Sequence, residues 1–217
     1  MKDYQSNLIQ LSLEKSALRF GEFTLKSGRH SPYFFNAGLF NDGLSLGQLA
    51  RAYAQRIVDQ KLVFDMVFGP AYKGIPLATA TAWALSELTG RAIPFAFNRK
   101  EAKTHGEGGQ LIGAPIQGKV LIIDDVISAG VAIQEAINLI KAQGATLAGV
   151  IVALDRQEKG LNSPMSAVDT LRQEQAIPVM SIISLVDLIR YVEKEPRAQA
   201  HLPALRAYQK EYGVVNP

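Results

Sequence analysis

The segment from Val120 to Ile140 limits the possible folds of this chain more than any other. It begins with four apolar residues, three of them β-branched, which indicates a buried β-strand. Two carboxylates, Asp124 and Asp125, follow, and small residues then lead into a helical pattern over 133–140. Parallel α/β sheets bind ligands beyond the carboxyl ends of their strands, and a tight turn into a helix offers backbone N–H groups to a phosphate. The segment therefore predicts acceptors for sugar hydroxyls or a hydrated metal beside a phosphate cradle.

A strand that ends in two aspartates also occurs in other α/β proteins, where it binds Mg²⁺ in an NTPase or accepts a phosphoryl group. The chain contains no G-x-x-x-x-G-K-[ST] sequence and no G-x-G-x-x-G after a strand. Their absence argues against a P-loop partner and against a dinucleotide-binding fold. On this segment alone, the sugar-phosphate site and the other aspartate sites stay open.

Composition excludes several classes of function. With 217 residues, 47% hydrophobic and 20% charged, the chain fits one globular domain. A net charge of +3 is too small to indicate nucleic-acid binding, and the lack of cysteine excludes disulfides and thiol chemistry. No apolar run approaches the ~18 residues of a membrane helix, and the first residues resemble no signal peptide. We therefore expect a cytoplasmic protein that binds neither nucleic acid nor membrane.

Hydrophobic periodicity predicts strands and helices in alternation, which is typical of a mostly parallel, twisted sheet flanked by helices. The predicted strands are 66–68, 92–97, 120–123, 148–154 and 179–183, and the predicted helices are 5–18, 46–58, 75–88, 133–142 and 185–192. Apolar runs at 22–25 and 33–36 predict a β-hairpin outside this alternation, which we interpret as a small hood over the carboxyl edge of the sheet. Trp83 lies on an apolar helical pattern and is predicted to be a core residue.

Several motifs together resemble the type I phosphoribosyltransferases. Residues 120–132 are similar to the motif that binds phosphoribosyl pyrophosphate (PRPP) in that family. The bacterial orotate phosphoribosyltransferases are the subfamily indicated by FGEFTLKSGR at 20–29, SPYFFN at 31–36, GPAYKGIP at 69–76, NRKEAKTHGEGG at 98–109 and LDRQE at 154–158.

The resemblance implies the type I phosphoribosyltransferase fold in a single domain, 1–217, with the hood in 1–40 and a mobile lid loop at 99–113. It also implies Mg²⁺-dependent transfer of the phosphoribosyl group from PRPP to orotate, in pyrimidine biosynthesis, by a homodimer that shares the lid across its interface. Two alternatives stay open at this point: a phosphoribosyltransferase for purines or uracil, and a regulator of the same fold that binds PRPP and acts on nucleic acid.

The resemblance also assigns the PRPP site. Cations in the glycine-rich loops would stabilise the leaving pyrophosphate, and lid closure would exclude water. The expected catalytic residues are Lys73, Arg99, Lys103, His105, Asp124 and Asp125; PRPP would also contact Lys26, Tyr72, Lys100, Val126, Ile127, Ser128, Ala129, Gly130, Val131 and Ala132. Mg²⁺ would be held mainly by PRPP, with Asp124 or Asp125 as an additional ligand. Whether His105 is a general acid or only binds a phosphate oxygen is left open.

The orotate site is inferred mainly from the resemblance. The expected residues are Lys26, Phe34, Phe35, Ser128 and Arg156, with Arg156 gripping a carboxylate or a carbonyl of the base. From the residue types alone, Arg156 in an ion pair and the two phenylalanines in the core are the alternatives. Ser128 and Val131 replace threonines that are usual in the family, so Val131 lacks a hydroxyl that could contact the phosphate.

Overall fold

The computed structural model describes residues 1–103, 109–127 and 130–214. The strands are β1 (Leu18–Thr24), β2 (His30–Phe35), β3 (Met66–Gly69), β4 (Phe95–Lys103), β5 (Gly109–Gly113), β6 (Lys119–Asp124), β7 (Thr146–Asp155) and β8 (Val179–Ser184). The helices are α1 (Asp3–Glu14), α2 (Gly43–Asp59), α3 (Gly74–Thr89), α4 (Val131–Ala142), α5 (Ala167–Gln175), α6 (Leu185–Lys194) and α7 (Leu202–Tyr212). Within these ranges, no helix is both long and apolar enough to cross a membrane.

Six strands form one sheet in the order β5-β4-β3-β6-β7-β8, and every neighbouring pair is parallel except β4–β5. Helices cover both faces of the sheet, which is why central strands such as β6 consist of continuous apolar runs. Leu121 and Ile123 of β6 pack into one hydrophobic core, and Val120 and Ile122 pack into the core on the other face. The predicted α/β architecture is confirmed.

The amino-terminal hairpin forms a separate two-stranded sheet of β1 and β2. Its turn is closed by the N–H of Leu25, which donates to the carbonyl of Arg29 at 2.9 Å, and by the N–H of Gly28, which donates to the carbonyl of Leu25 at 2.9 Å. Gly28 has a φ of 81°, a left-handed conformation that glycine adopts without strain. The predicted hairpin is confirmed, with strands longer than expected.

Several element boundaries differ from the prediction. Helix α1 ends at Glu14 rather than near residue 18, because Ser16 takes a φ of 56° and Leu18 already pairs with Phe35 of β2. The stretch expected to be a loop from 99 to 113 is partly strand: β4 continues to Lys103 and β5 returns antiparallel to it. Helices α5 and α7 were not predicted.

The placement of Trp83 in the core was wrong. Its side chain is 49% exposed, and the Arg51 guanidinium lies 5.4 Å from the centre of its ring. Helix α3 is apolar nearly all round, so its sequence does not mark the buried face. Packing buries the face that carries Leu77, Thr81 and Leu85, and this turns Trp83 outward.

A close backbone contact at the end of β3 gives a test of the fold. A Cβ atom on Gly69 would lie 2.1 Å from the carbonyl oxygen of Gly74 and 2.8 Å from Cβ of Ala78. We expect Gly69→Ala to lower the free energy of unfolding by about 2–4 kcal/mol, because backbone atoms must move to relieve the overlap. Urea denaturation would measure the change.

Gly43→Ala is the matched control, since a Cβ on this first residue of α2 would meet no atom within 4 Å. Its unfolding free energy should equal that of the wild type or exceed it by less than about 1 kcal/mol. Equal stability of the Gly69→Ala and Gly43→Ala variants would contradict the close packing at β3.

Candidate active site

The carboxyl ends of three neighbouring parallel strands meet at one edge of the sheet. Strand β6 lies between β3 and β7, and the three strands end at Gly69, Asp124 and Asp155. The loops that follow these strands therefore open at the same edge, where α/β sheets bind ligands. Lys73 and Arg156, two of the predicted site residues, lie in the first and third of these loops.

Lys73 and Asp125 form an ion pair across two of these loops. The Lys73 Nζ lies 2.7 Å from Oδ2 of Asp125. The lysine side chain is 52% exposed, whereas the carboxylate is 9% exposed. A buried acid thus holds a cation that still reaches solvent, so the ammonium is available to an anionic ligand. The structure brings together these two predicted residues, which are 52 positions apart in sequence.

Asp124 is a buried carboxyl group beside another acid. Its Oδ1 accepts a hydrogen bond from the N–H of Asp125 at 2.9 Å, and its backbone carbonyl accepts one from the hydroxyl of Tyr53 at 2.6 Å. Burial, and next the charge of Asp125, raise the pKa of Asp124 to about 7, although the backbone hydrogen bond and Lys73 act in the opposite direction. A ligand that brings positive charge or hydroxyl donors would favour the ionised form.

The loop after β6 leads directly into α4. Gly130 caps this helix with a φ of 71°, and a Cβ there would meet no atom within 4 Å, so the backbone conformation alone favours glycine. Val131 and Ala132 are the first two residues of α4, where helix N–H groups have no partner within the helix. The phosphate cradle stays a prediction, and this helix start supplies backbone donors of the kind that it requires. The Val131 side chain is 61% exposed. Ser128 and Ala129 lie outside the described residues.

Two residues of β4, which carries the basic stretch, contact the loop after β3. The ammonium of Lys100 lies 5.1 Å from the ring centre of Tyr72, so these two predicted PRPP contacts are neighbours. The buried side chain of Asn98 accepts a hydrogen bond from the N–H of Ala71 at 2.9 Å and thereby fixes this loop to β4. The sequence analysis assigned no role to Asn98. Its position directly after the apolar Phe95–Phe97 run nevertheless indicated a polar side chain at the end of a buried stretch. His105 and the side chain of Lys103 lie outside the described part of the chain.

Four of the residues predicted to bind the base lie in the hood or directly after β7, and the fifth, Ser128, is outside the described residues. Arg156 follows β7, and its Nη2 donates to Oγ of Ser31 in β2 at 2.8 Å. Lys26 is exposed in the hairpin turn, and Phe34 is half-buried, with its ring centre 5.6 Å from that of Phe23. The ring of Phe35 is buried in the core against Phe40, as the alternative interpretation expected, so only its backbone remains for a ligand.

The described residues contain no group of three or more His, Cys, Asp or Glu side chains that could enclose a metal ion. Two adjacent carboxyl groups, Asp124 and Asp125, do lie at the strand end, and Asp124 is partly neutralised by its raised pKa. Mg²⁺ commonly takes one or two carboxylates together with substrate phosphates and water. The residues therefore fit a Mg²⁺ that arrives with a phosphorylated ligand.

Comparison with known proteins assigns the family. Residues 39–181 match the family model described as "Phosphoribosyl transferase domain". The chain is 56% identical to the orotate phosphoribosyltransferase of Serratia proteamaculans (strain 568), over 99% of this chain and 100% of that protein. It is also 56% identical to that of Yersinia pestis (strain Pestoides F), over 99% of each. The chain belongs to the orotate phosphoribosyltransferase family.

A solved structure of the same family has the same fold. The crystal structure of orotate phosphoribosyltransferase from Francisella tularensis superposes with a TM-score of 0.86 at 42% identity, and the match covers 95% of this chain and 99% of that one. The family resemblance and the fold that it implied are confirmed.

The raised pKa of Asp124 predicts a pH-dependent stability. Between about pH 4 and pH 7 the folded protein keeps a proton on this carboxyl group that the unfolded chain has released. The stability from this proton is fully present below about pH 4 and is lost progressively as the pH rises to about 7. Asp124→Asn cannot ionise, so the gain in unfolding free energy over wild type should be greater at pH 8 than at pH 5, by about 1–3 kcal/mol.

Urea denaturation of both proteins at the two pH values, without substrates, would measure this difference. An Asn variant whose stability relative to wild type is the same at pH 5 and pH 8 would show that Asp124 is ionised throughout this range.

Proposed function

We propose that this chain transfers the 5-phosphoribosyl group of PRPP to N1 of orotate and releases pyrophosphate and orotidine 5′-monophosphate, a step of pyrimidine biosynthesis. The observation that carries this mechanism is the ion pair of Lys73 with Asp125, beside Asp124, at the start of the loop that leads from β6 into α4. A cation for pyrophosphate, acceptors for ribose hydroxyls and amides for the 5-phosphate would thus lie along one PRPP molecule.

The hood favours orotate over other bases. Orotate is planar and carries a carboxylate, and the hairpin places Ser31 beside the Arg156 guanidinium, a cation suited to charge-assisted hydrogen bonding of a carboxylate. A purine or uracil enzyme would have no need for this cation. A net charge of +3 gives no support to a regulator that acts on nucleic acid.

The reaction forms a bond between N1 of orotate and C1 of the ribose. It breaks the N1–H bond of orotate, whose proton passes to solvent, and the bond from C1 to the pyrophosphate oxygen, whose electron pair leaves with pyrophosphate. C1 is inverted, and no covalent intermediate with the protein is required. Negative charge develops on the leaving group, so Lys73, Arg99 and Lys103 would stabilise the transition state. The carboxylates of Asp124 and Asp125 would orient the ribose, and His105 would bind or protonate a phosphate oxygen.

We infer that Mg²⁺ is the cofactor. When bound, it would neutralise charge on the pyrophosphate group, and Asp124 or Asp125 would supply the additional protein ligand. Both side chains already lie next to the proposed position of the ribose hydroxyls, and their mutual repulsion favours a cation between the ligand and the protein.

We also propose that the chain forms a single domain, 1–217, and acts as a homodimer in the cytoplasm. In this dimer, residues 99–113 form a lid over the neighbouring subunit's site. The described part of this segment supports the proposal because β5 is an edge strand of the sheet and the basic residues Arg99 and Lys100 lie on the adjacent β4. A hairpin at an edge can extend beyond its own subunit.

A spectroscopic assay tests the function directly. Orotate absorbance should fall when PRPP and Mg²⁺ are added to the purified protein, and uracil, adenine and hypoxanthine should not be consumed. Consumption of one of these bases in place of orotate would overturn the proposed substrate.

The first variant tests the base site. Arg156→Ala should raise the KM for orotate at least ~100-fold, because it removes a charge-assisted pair worth about 3 kcal/mol, while the KM for PRPP changes little. Arg206→Ala is the control, since this arginine pairs with Glu193 on the surface and its side chain is 61% exposed. An orotate KM that is the same in the Arg156→Ala and wild-type enzymes would contradict the assignment of Arg156 to the base site.

A complementation experiment tests the shared lid. One protein carries Lys103→Ala and the other carries Asp124→Asn with Asp125→Asn, so each is expected to be nearly inactive. If the lid acts on the neighbouring subunit, a mixed dimer contains one intact site and one site with both defects, and activity should return towards half per mixed dimer. Absence of recovery after verified subunit exchange would mean that each lid closes over its own site.

A further inference from the structure

Glu158 is a shared hydrogen-bond acceptor close to the proposed base site. Its Oε1 accepts from Nε of Arg156 at 2.5 Å and from the hydroxyl of Tyr208 at 2.7 Å, and its Oε2 lies 3.4 Å from Nη1 of Arg29. The glutamate side chain is only 13% exposed, so these contacts are shielded from solvent. One carboxylate therefore links the segment after β7, the hood and helix α7.

The contacts fix the Arg156 guanidinium on one side. Nε donates to Glu158, and Nη2 lies 2.8 Å from Oγ of Ser31 and 3.3 Å from the hydroxyl of Tyr208. The central carbon of the guanidinium lies 4.2 Å from the ring centre of Tyr33, a cation–π contact. Nη1 has no partner among the residues that the structure describes, so its two N–H groups form the side of the guanidinium that a ligand can reach.

Helix α7 brings Tyr208 to this position from 52 residues further along the chain. The tyrosine is 4% exposed and its ring meets that of Tyr33 edge-on, with centroids 6.2 Å apart. Burial, and next the bond to Glu158, raise the pKa of Tyr208 to about 12, so the hydroxyl keeps its proton and remains a donor at neutral pH. Tyr212, one turn later, lies under the Arg29 guanidinium at 4.9 Å instead.

We propose that Glu158 and Tyr208 are positioning residues, which hold the Arg156 side chain so that Nη1 faces the carboxylate of the base. A free arginine side chain samples many rotamers, and a ligand that orders it loses affinity by that entropy. Because the network already orders the Arg156 side chain in the free protein, orotate binding would not incur this loss of side-chain entropy. The inference rests on the proposed function, because it takes Arg156 as the group that recognises the base.

Tyr208→Phe removes only the hydroxyl and tests this role. The orotate KM should rise about 3- to 10-fold, because the variant loses the hydroxyl that donates to Glu158 and accepts from Nη2 of Arg156, while kcat and the PRPP KM change less than about 2-fold. Tyr212→Phe is the matched control, since it removes a hydroxyl from the next turn of α7, and Tyr212 has no contact with Arg156. Its orotate KM should equal that of the wild type.

Glu158 is tested by two variants that differ in hydrogen bonding. Glu158→Gln keeps an oxygen that can accept from Nε of Arg156, whereas Glu158→Ala keeps no acceptor. We expect the orotate KM to rise less in Glu158→Gln than in Glu158→Ala, and the PRPP KM to stay within about 2-fold of wild type in Glu158→Gln. An equal rise in both variants would exclude positioning by this acceptor.

A double-mutant cycle separates positioning from general structural support. If Tyr208 acts through Arg156, Tyr208→Phe should leave the orotate KM unchanged in the Arg156→Ala background. The same rise in both backgrounds, or a parallel rise in the PRPP KM, would overturn the positioning role.

The cycle also distinguishes this inference from the proposed function. If Arg156→Ala raises the orotate KM and Tyr208→Phe does not, the base site stands and only the positioning role fails. If Arg156→Ala has no effect, the base site itself is misassigned and the positioning role fails with it.

Discussion

In the centre of the sheet, β6 is hydrogen-bonded to a parallel strand on each side, with Val120 paired to Met66 of β3 and Asp124 paired to Val152 of β7. The apolar residues of β6 are completely buried, so a shift by one residue would place each side chain on the wrong face. This register brings the loops with Lys73, Asp125 and Arg156 to one edge. All the proposed chemistry depends on this alignment.

At this edge the charges are arranged for an anion that also carries hydroxyl groups. Asp125 is paired with Lys73, and Asp124 is buried with a pKa raised to about 7, so the two carboxyl groups do not repel an incoming phosphate as strongly as two ionised acids would. The amino terminus of α4 adds backbone donors with the positive end of a helix dipole. The arrangement suits PRPP because its phosphates and its ribose hydroxyls require opposite kinds of partner.

The hood and helix α7 complete the other end of the site. Arg29 of the hood donates to the carbonyls of Lys159 and Gly160, at 2.8 and 3.3 Å, and stacks on Tyr212, while Glu158 and Tyr208 contact Arg156. These contacts join the first and last parts of the chain around the residue proposed to recognise the base. Substitution of Tyr208, far in sequence from the PRPP motif, is therefore expected to affect orotate before it affects PRPP.

The sequence by itself determined the parallel sheet, its main helices, the hood hairpin and the motifs of the site, because these depend on local periodicity and on residues that are adjacent in the chain. Only the tertiary structure decided that Trp83 points outward, that β4 and β5 extend the basic stretch as an edge hairpin, and that Phe35 is a core side chain. It also revealed Asn98 and Tyr208, whose roles come from contacts 27 and 52 residues away in sequence. Such contacts are formed when separate elements pack together, so a local pattern can mark a polar residue such as Asn98 but does not identify its partner.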